Sequence, residues 1–141
     1  MTTAAISMVA LPVTEVAATE RFLHAVFGWT THPRSSAKLA LFRMGNGPLL
    51  ALGRVEDFTA ELGLPEVAVR GRTALLACNV RTAEEVAARL DRAVAAGGKL
   101  VRSSAPTAWG GVAGCFADPE GHFWEVVWNP GWPLDAAGQL T

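Results

Sequence analysis

Apolar positions along the chain change period in a set order. "ISMVALPV", Ile6 to Val13, is a strand-like run; Thr14 and Glu15 follow, and then "VAATERFLHAVFGW" carries apolar residues at helical spacing until Gly28 closes it. "KLALFRM", a turn at "GNG", and "PLLALG" predict a hairpin. The second half opens again with a strand, "TALLACNV". "TAEE", Thr82 to Glu85, has the form of a capping box before the helical "VAARLDRAVAAGG". "KLVRSS", "GGVAGCFADPEG" and "HFWEVVW" complete it as strands, so each half reads β-α-β-β-β, with "GLPEVAVRG" as linker.

The registers match as well. Phe42 and Phe116, Gly47 and Gly121, and Ala51 and Glu125 each lie 74 residues apart. Met8 and Leu75, and Val13 and Val80, lie 67 apart, the longer intervening segments of the second half absorbing the difference. An approximate duplication of a strand-rich unit predicts an α+β fold of two tandem βαβββ modules, whose curved sheets surround a cleft. The expected organisation is one domain over 1–141, with module one at about 4–66, module two at about 71–130 and a tail at 131–141.

Composition narrows the partners. A chain of 141 residues, 50% hydrophobic and 18% charged, is long enough to bury a core and is not of the disordered class. Its formal net charge of -1 and lack of a basic run argue against nucleic acid and anionic membranes as partners. The N-terminal stretch has no basic n-region, and no apolar segment approaches a membrane span. Cys78 and Cys115 fit no zinc or redox spacing, and a cytoplasmic location is the default expectation.

Strand alternation raises one chemical question. In "HFWEVVW", Phe123, Glu125 and Val127 share one face, and Trp124, Val126 and Trp128 the other. Glu125 is thus a carboxylate in an otherwise apolar strand; it holds a metal, contacts a ligand, or faces water. His24, His32 and His122 share no metal-ligand spacing, and His122 falls on the face opposite Glu125. "WGG" at Trp109 to Gly111 places a large ring beside two residues without side chains, which makes room for a flat ligand. The competing reading is that these aromatic and aliphatic residues are ordinary core.

The paired modules, with "VTEVAATERFLHAVFGW" in the first and "FADPEGHFWEVVWNP" closing the second, resemble the vicinal oxygen chelate superfamily. That group includes glyoxalase I, extradiol dioxygenases, fosfomycin-modifying enzymes and bleomycin-resistance proteins. The resemblance implies four cleft-facing strand positions, which in metal-using members carry His, Glu or Gln. Here they are Met8, Ala51, Leu75 and Glu125, and one carboxylate is too few for a zinc or a hard divalent ion. No metal and no cofactor is therefore expected. With Glu125 facing the cleft, Met8, Leu41, Ala51, Leu75, Trp109, Cys115 and Phe123 line an apolar, aromatic site. A thiol at Cys115 has the right parity for this cleft, but no lysine or arginine is evident beside it to activate it.

The leading expectation is a metal-independent protein resembling the drug-sequestering bleomycin-resistance type, which binds an apolar or aromatic small molecule. It acts as a homodimer, since paired modules in that group usually come from two chains. A carboxylate stripped of water favours its neutral form unless a donor compensates. The alternative is accordingly a lyase or isomerase using Glu125 as general acid or base, and a third reading is a metal-dependent dioxygenase. Arg72 or a backbone amide is the expected partner of Glu125 if the carboxylate is a relic of a lost metal site.

Overall fold

β1 (Met8–Val13), whose Leu11 and Val13 are buried, leads into α1 (Val16–Phe27). α1 buries Val16, Thr19, Phe22, Leu23 and Val26 along one stripe, at the spacing of an amphipathic helix. Gly28, at φ 71°, ends it in the left-handed conformation that suits glycine. β2 (Leu39–Arg43) and β3 (Leu49–Arg54) form the expected hairpin, and a three-stranded sheet results in the order β1-β3-β2. β4 (Leu75–Asn79), α4 (Ala83–Ala95), β5 (Lys99–Pro106), β6 (Val112–Ala117) and β7 (Phe123–Trp128) build a four-stranded sheet, β4-β7-β6-β5. The chain is a mixed α+β protein in this computed structural model, which describes residues 5–71 and 74–141. Of those, 5–21 and 29–71 group as a first unit and 22–28 with 74–141 as a second.

The internal repeat is present at the level of strand register. In the first sheet Ala10 pairs with Ala51 across the parallel β1-β3 ladder, and Leu41 pairs with Ala51 across the antiparallel one. In the second sheet the same roles fall to Ala77, Glu125 and Cys115. The offsets of 67 and 74 residues seen in the sequence thus hold for the pairing partners themselves.

Two features of the first unit depart from the sequence pattern. The β-α-β-β-β order expected of this half is one strand short among the described residues: between α1 and the hairpin the chain makes only an isolated bridge, Thr31 with Phe42, with the His32 N–H donating to the Leu41 carbonyl at 2.7 Å. Pro33, the next residue, has no N–H to extend a ladder. The segment expected as linker, "GLPEVAVRG", instead carries a short helix, and the apolar pattern does not predict the helix before it: these are α2 (Val55–Leu62) and α3 (Glu66–Arg70). Glu56 and Asp57 lie in the first turn of α2, and Gly63 at φ 64° comes directly after its last. The Phe58 ring covers the position of a Cβ on Gly53, so α2 rests on the face of β3 that carries Ala51 and Gly53.

The second unit is built around a sandwich of α4 on its sheet. Thr82 caps α4 by accepting from the Glu85 N–H at 3.4 Å, while the Glu85 carboxylate reaches back to the Arg81 N–H at 2.9 Å. Val86, Leu90 and Ala93 are buried on the same helix face. Phe22 and Phe27, from the last part of α1, meet Phe116 and Trp124 of this unit with ring centroids 5.2–6.1 Å apart. The Arg89 guanidinium donates to the Val26 carbonyl at 3.1 Å and lies over the Phe27 ring. No helix among the described residues is long and apolar enough to cross a membrane.

Candidate functional site on the second sheet

The turn "DPEG" fixes where β7 begins. Asp118 is buried, and its Oδ1 accepts from the N–H groups of Glu120 and His122, each at 3.0 Å. Its N–H donates to the His122 carbonyl at 2.9 Å, and Gly121, at φ 87°, supplies the left-handed residue that closes the turn. From this anchor β7 alternates as its sequence requires. Trp124 and Val126 are buried toward the helix, while Phe123 and Glu125 point the other way.

On that outer face the side chains form two rows across the strands. Leu75, Phe123, Ala117 and Lys99 are successive partners in one row; Ala77, Glu125, Cys115 and Arg102 make the next. Leu75 is 55% exposed and Phe123 37%, both high for large apolar residues. Farther along the face Val127 and Ala113 are buried, so the open part ends there. The result is an apolar strip with Lys99 at the end of one row and an ion pair in the other. Arg102 reaches over Cys115, and its Nη2 lies 3.4 Å from Oε1 of Glu125, whose side chain is 25% exposed.

Arg102 reaches this face because β5 is irregular. Leu100 stands opposite Phe116, yet Arg102 stands opposite Cys115, so Val101 and Arg102 together face one residue of β6. That extra residue is a bulge, and it flips the parity of the strand beyond it. A regular strand would have set Arg102 opposite Gly114, on the helix side. Gly114 itself leaves no space there: a Cβ on it would meet Leu90 Cδ1 at 2.5 Å and the Arg102 carbonyl at 3.0 Å. The expectation of no basic side chain beside Cys115 is thereby corrected, and Arg102 is the partner of Glu125. Arg72, the partner expected from sequence, lies outside the described residues.

The remaining expected site residues fall differently. Met8 is 43% exposed at the start of β1, but Leu41 and Ala51 are 6% and 0% exposed, so neither presents surface in the first unit. The space that "WGG" was expected to leave for a ligand is taken by Trp109 itself, since a Cβ on Gly111 would fall inside the Trp109 ring. Burial pushes the Cys115 thiol up, the Glu125 carboxylate pushes it further, and Arg102 offsets part of this. Cys78 is also raised by burial, with Arg89 opposing. Neither thiol has the lowered pKa of a nucleophile.

Among the described residues, the four expected ligand positions do not fit a metal. Met8 and Ala51 in the first unit offer no oxygen or nitrogen ligand, and in the second unit Leu75 is equally inert, leaving Glu125. Among the described residues no three His, Cys, Asp or Glu side chains are grouped as an ion would require. His32, for its part, is engaged by Arg43 at 3.2 Å and by the Arg34 N–H at 3.2 Å.

A family model described as a glyoxalase-like domain matches residues 8–127. A glyoxalase-related enzyme from Fulvimarina pelagi is similar in structure, with a TM-score of 0.87, 35% identity, and coverage of 100% of this chain and 98% of that one. A glyoxalase/bleomycin resistance protein/dioxygenase from Nocardioides is similar at TM-score 0.71 and 25% identity, covering 93% and 90%. Lactoylglutathione lyase from Agrobacterium tumefaciens has the same fold at TM-score 0.70 and 20% identity, covering 95% and 100%. No curated protein matches the sequence.

Proposed function

The chain belongs to the glyoxalase-like domain family, within the vicinal oxygen chelate superfamily, and on that premise we propose that it binds a small apolar or aromatic molecule without a metal. The observation that carries this reading is the outer face of the second sheet. Leu75, Ala77 and Phe123 supply exposed apolar area, and the Arg102–Glu125 pair supplies one donor–acceptor couple to orient a ligand. A ligand carrying a hydroxyl or amine opposite Glu125 and an acceptor opposite Arg102 fits this face, in the manner of a drug-sequestering protein. Pairing of two copies as a homodimer belongs to the same proposal.

A second reading has its own support, because the relative at 35% identity is a glyoxalase-related enzyme. In that reading Glu125 moves a proton on the bound molecule as general acid or base, giving lyase or isomerase chemistry. Arg102, 3.4 Å away, then holds the carboxylate in place between turnovers.

Native mass spectrometry of freshly purified protein, without chelator or added metal, tests the first reading. A metal-free dimer carrying an organic mass that is lost in Leu75→Asp agrees with it. Stoichiometric divalent metal, lost in Glu125→Ala, overturns it. Once a ligand is in hand, Glu125→Gln separates the two readings: a binder keeps affinity within about tenfold, whereas a general base loses about a hundredfold or more in turnover.

A further inference from the structure

The segment "NPGWP" and the residues after it take no part in the face described above. They nevertheless fold tightly: the Trp132 N–H donates to the Asn129 carbonyl at 3.2 Å, and the Trp132 indole N–H donates to the Thr141 carbonyl at 2.6 Å. Leu134 and Leu140 form a bridge, and the Asp135 N–H donates to the Gln139 carbonyl at 2.8 Å. Beneath this clip lies a hollow of about 260 Å³, lined by Val80, Arg81, Trp128, Asn129, Trp132 and Pro133 among others. Its volume suits one ring rather than a drug-sized ligand.

The polar groups of the hollow are set for an anion. Arg81 Nη2 donates to the carbonyls of Asp135 at 2.7 Å and Ala136 at 3.4 Å, which fixes the guanidinium in place. Arg81 carries the one charged side chain among the residues that line the hollow, and of the five N–H donors of a guanidinium these contacts use Nη2 alone. Asn129 Oδ1 accepts from the Gly131 N–H at 3.0 Å, which turns its amide donors away from that contact. Because the indole N–H of Trp132 is spent on Thr141, its ring is held in place and offers area for stacking.

We infer that this hollow is a second binding site, specific for a single-ring aromatic carboxylate that packs against Trp128 and Trp132 and is held by the Arg81 guanidinium. The site is separate from the outer face of the sheet, since Trp128 lies on the opposite side of β7 from Glu125.

The test is a ¹H–¹⁵N NMR titration of the full chain with sodium benzoate, and with benzamide as the neutral isostere. The indole signals of Trp128 and Trp132 are assigned from single Trp→Phe variants. Benzoate is expected to move both signals saturably, with affinity about fivefold or more above that of benzamide. Arg81→Gln removes that preference, Arg81→Lys restores part of it, Trp132→Ala loses binding, and Glu125→Gln leaves the titration unchanged. The inference is overturned if benzoate leaves these two signals in place, if benzamide binds as well, or if the preference survives Arg81→Gln. Should Trp132→Ala fail to fold, Trp132→Phe keeps a ring and is expected to keep binding, so the Arg81 series still decides.

Discussion

The indole N–H of Trp124 donates to Oδ2 of Asp118 at 3.0 Å, with both residues buried. Together with the two backbone N–H groups on Oδ1, this gives the carboxylate three donors and ties the turn before β7 to the core under the sheet. Trp124 is in turn stacked on Phe116 at an interplanar angle of 7°. Asp118→Ala strands those donors and is expected to cost about 2–4 kcal/mol in urea unfolding. Trp124→Phe keeps most of the ring contact but leaves one carboxylate oxygen unmatched, for a smaller loss of about 1–2 kcal/mol. Equal losses in the two variants would show that ring packing rather than the hydrogen bond dominates.

The Arg102–Glu125 pair is expected to matter more for ligand than for stability. At 3.4 Å, with Arg102 57% exposed, it is screened by water, so Arg102→Ala shifts unfolding by less than about 1 kcal/mol. A double-mutant cycle with Glu125→Gln, read by denaturant unfolding, is the measurement. A coupling well above about 1 kcal/mol would mean that the carboxylate is far less solvated than its exposure indicates.

Gly114 makes the bulge possible. A Cβ there meets the Arg102 carbonyl at 3.0 Å and the Ser104 N–H nitrogen at 3.1 Å, besides Leu90. Gly114→Ala is expected to destabilise by about 1–3 kcal/mol and to pull Arg102 away from Glu125. Adding Leu90→Ala relieves the side-chain clash but not the backbone one, so only partial recovery is expected. Full recovery in the double variant would show that the bulged backbone of β5 yields easily.

Thiol chemistry reports on the same row of residues. Burial and the Glu125 carboxylate both favour the neutral Cys115 thiol, so alkylation near neutral pH is slow and rises only above the ordinary thiol range. Glu125→Gln removes one of these causes and is expected to speed modification of Cys115 by a factor of a few, as measured by mass spectrometry. An unchanged or slower rate would place Glu125 too far away to act on the thiol.

Stability has a matching alkaline dependence. A thiol whose acidity is weakened by folding contributes stability that is fully present below its unfolded value of about 8.5 and is lost as pH rises through the higher folded value. Cys78 and Cys115 are both of this kind, so the unfolding free energy falls above about pH 8.5. Cys78→Ala flattens that fall, as thermal unfolding across the alkaline range would record.

Several features arise from local sequence alone. The offset pairs, Met8 with Leu75 and Ala51 with Glu125, hold because duplicated residues need the same partners to satisfy a parallel ladder. The alternation of Phe123 to Trp128 fixes which side chains are buried, since a strand has only two faces. The cap at Thr82 and the turn at Asp118 are equally local, decided by residues within four positions of one another.

Tertiary structure decided what touches Glu125. Arg102 lies 23 residues away, and its face depends on a bulge that strand periodicity does not encode, because one inserted residue reverses every later assignment. The Phe58 ring of α2 likewise covers Gly53 on the face of β3 that carries Ala51, a contact strand periodicity does not encode. Apolar periodicity determines that a residue is turned toward or away from a core. Which element then covers it, and which charge reaches across to it, is settled only when distant segments compete for the same space.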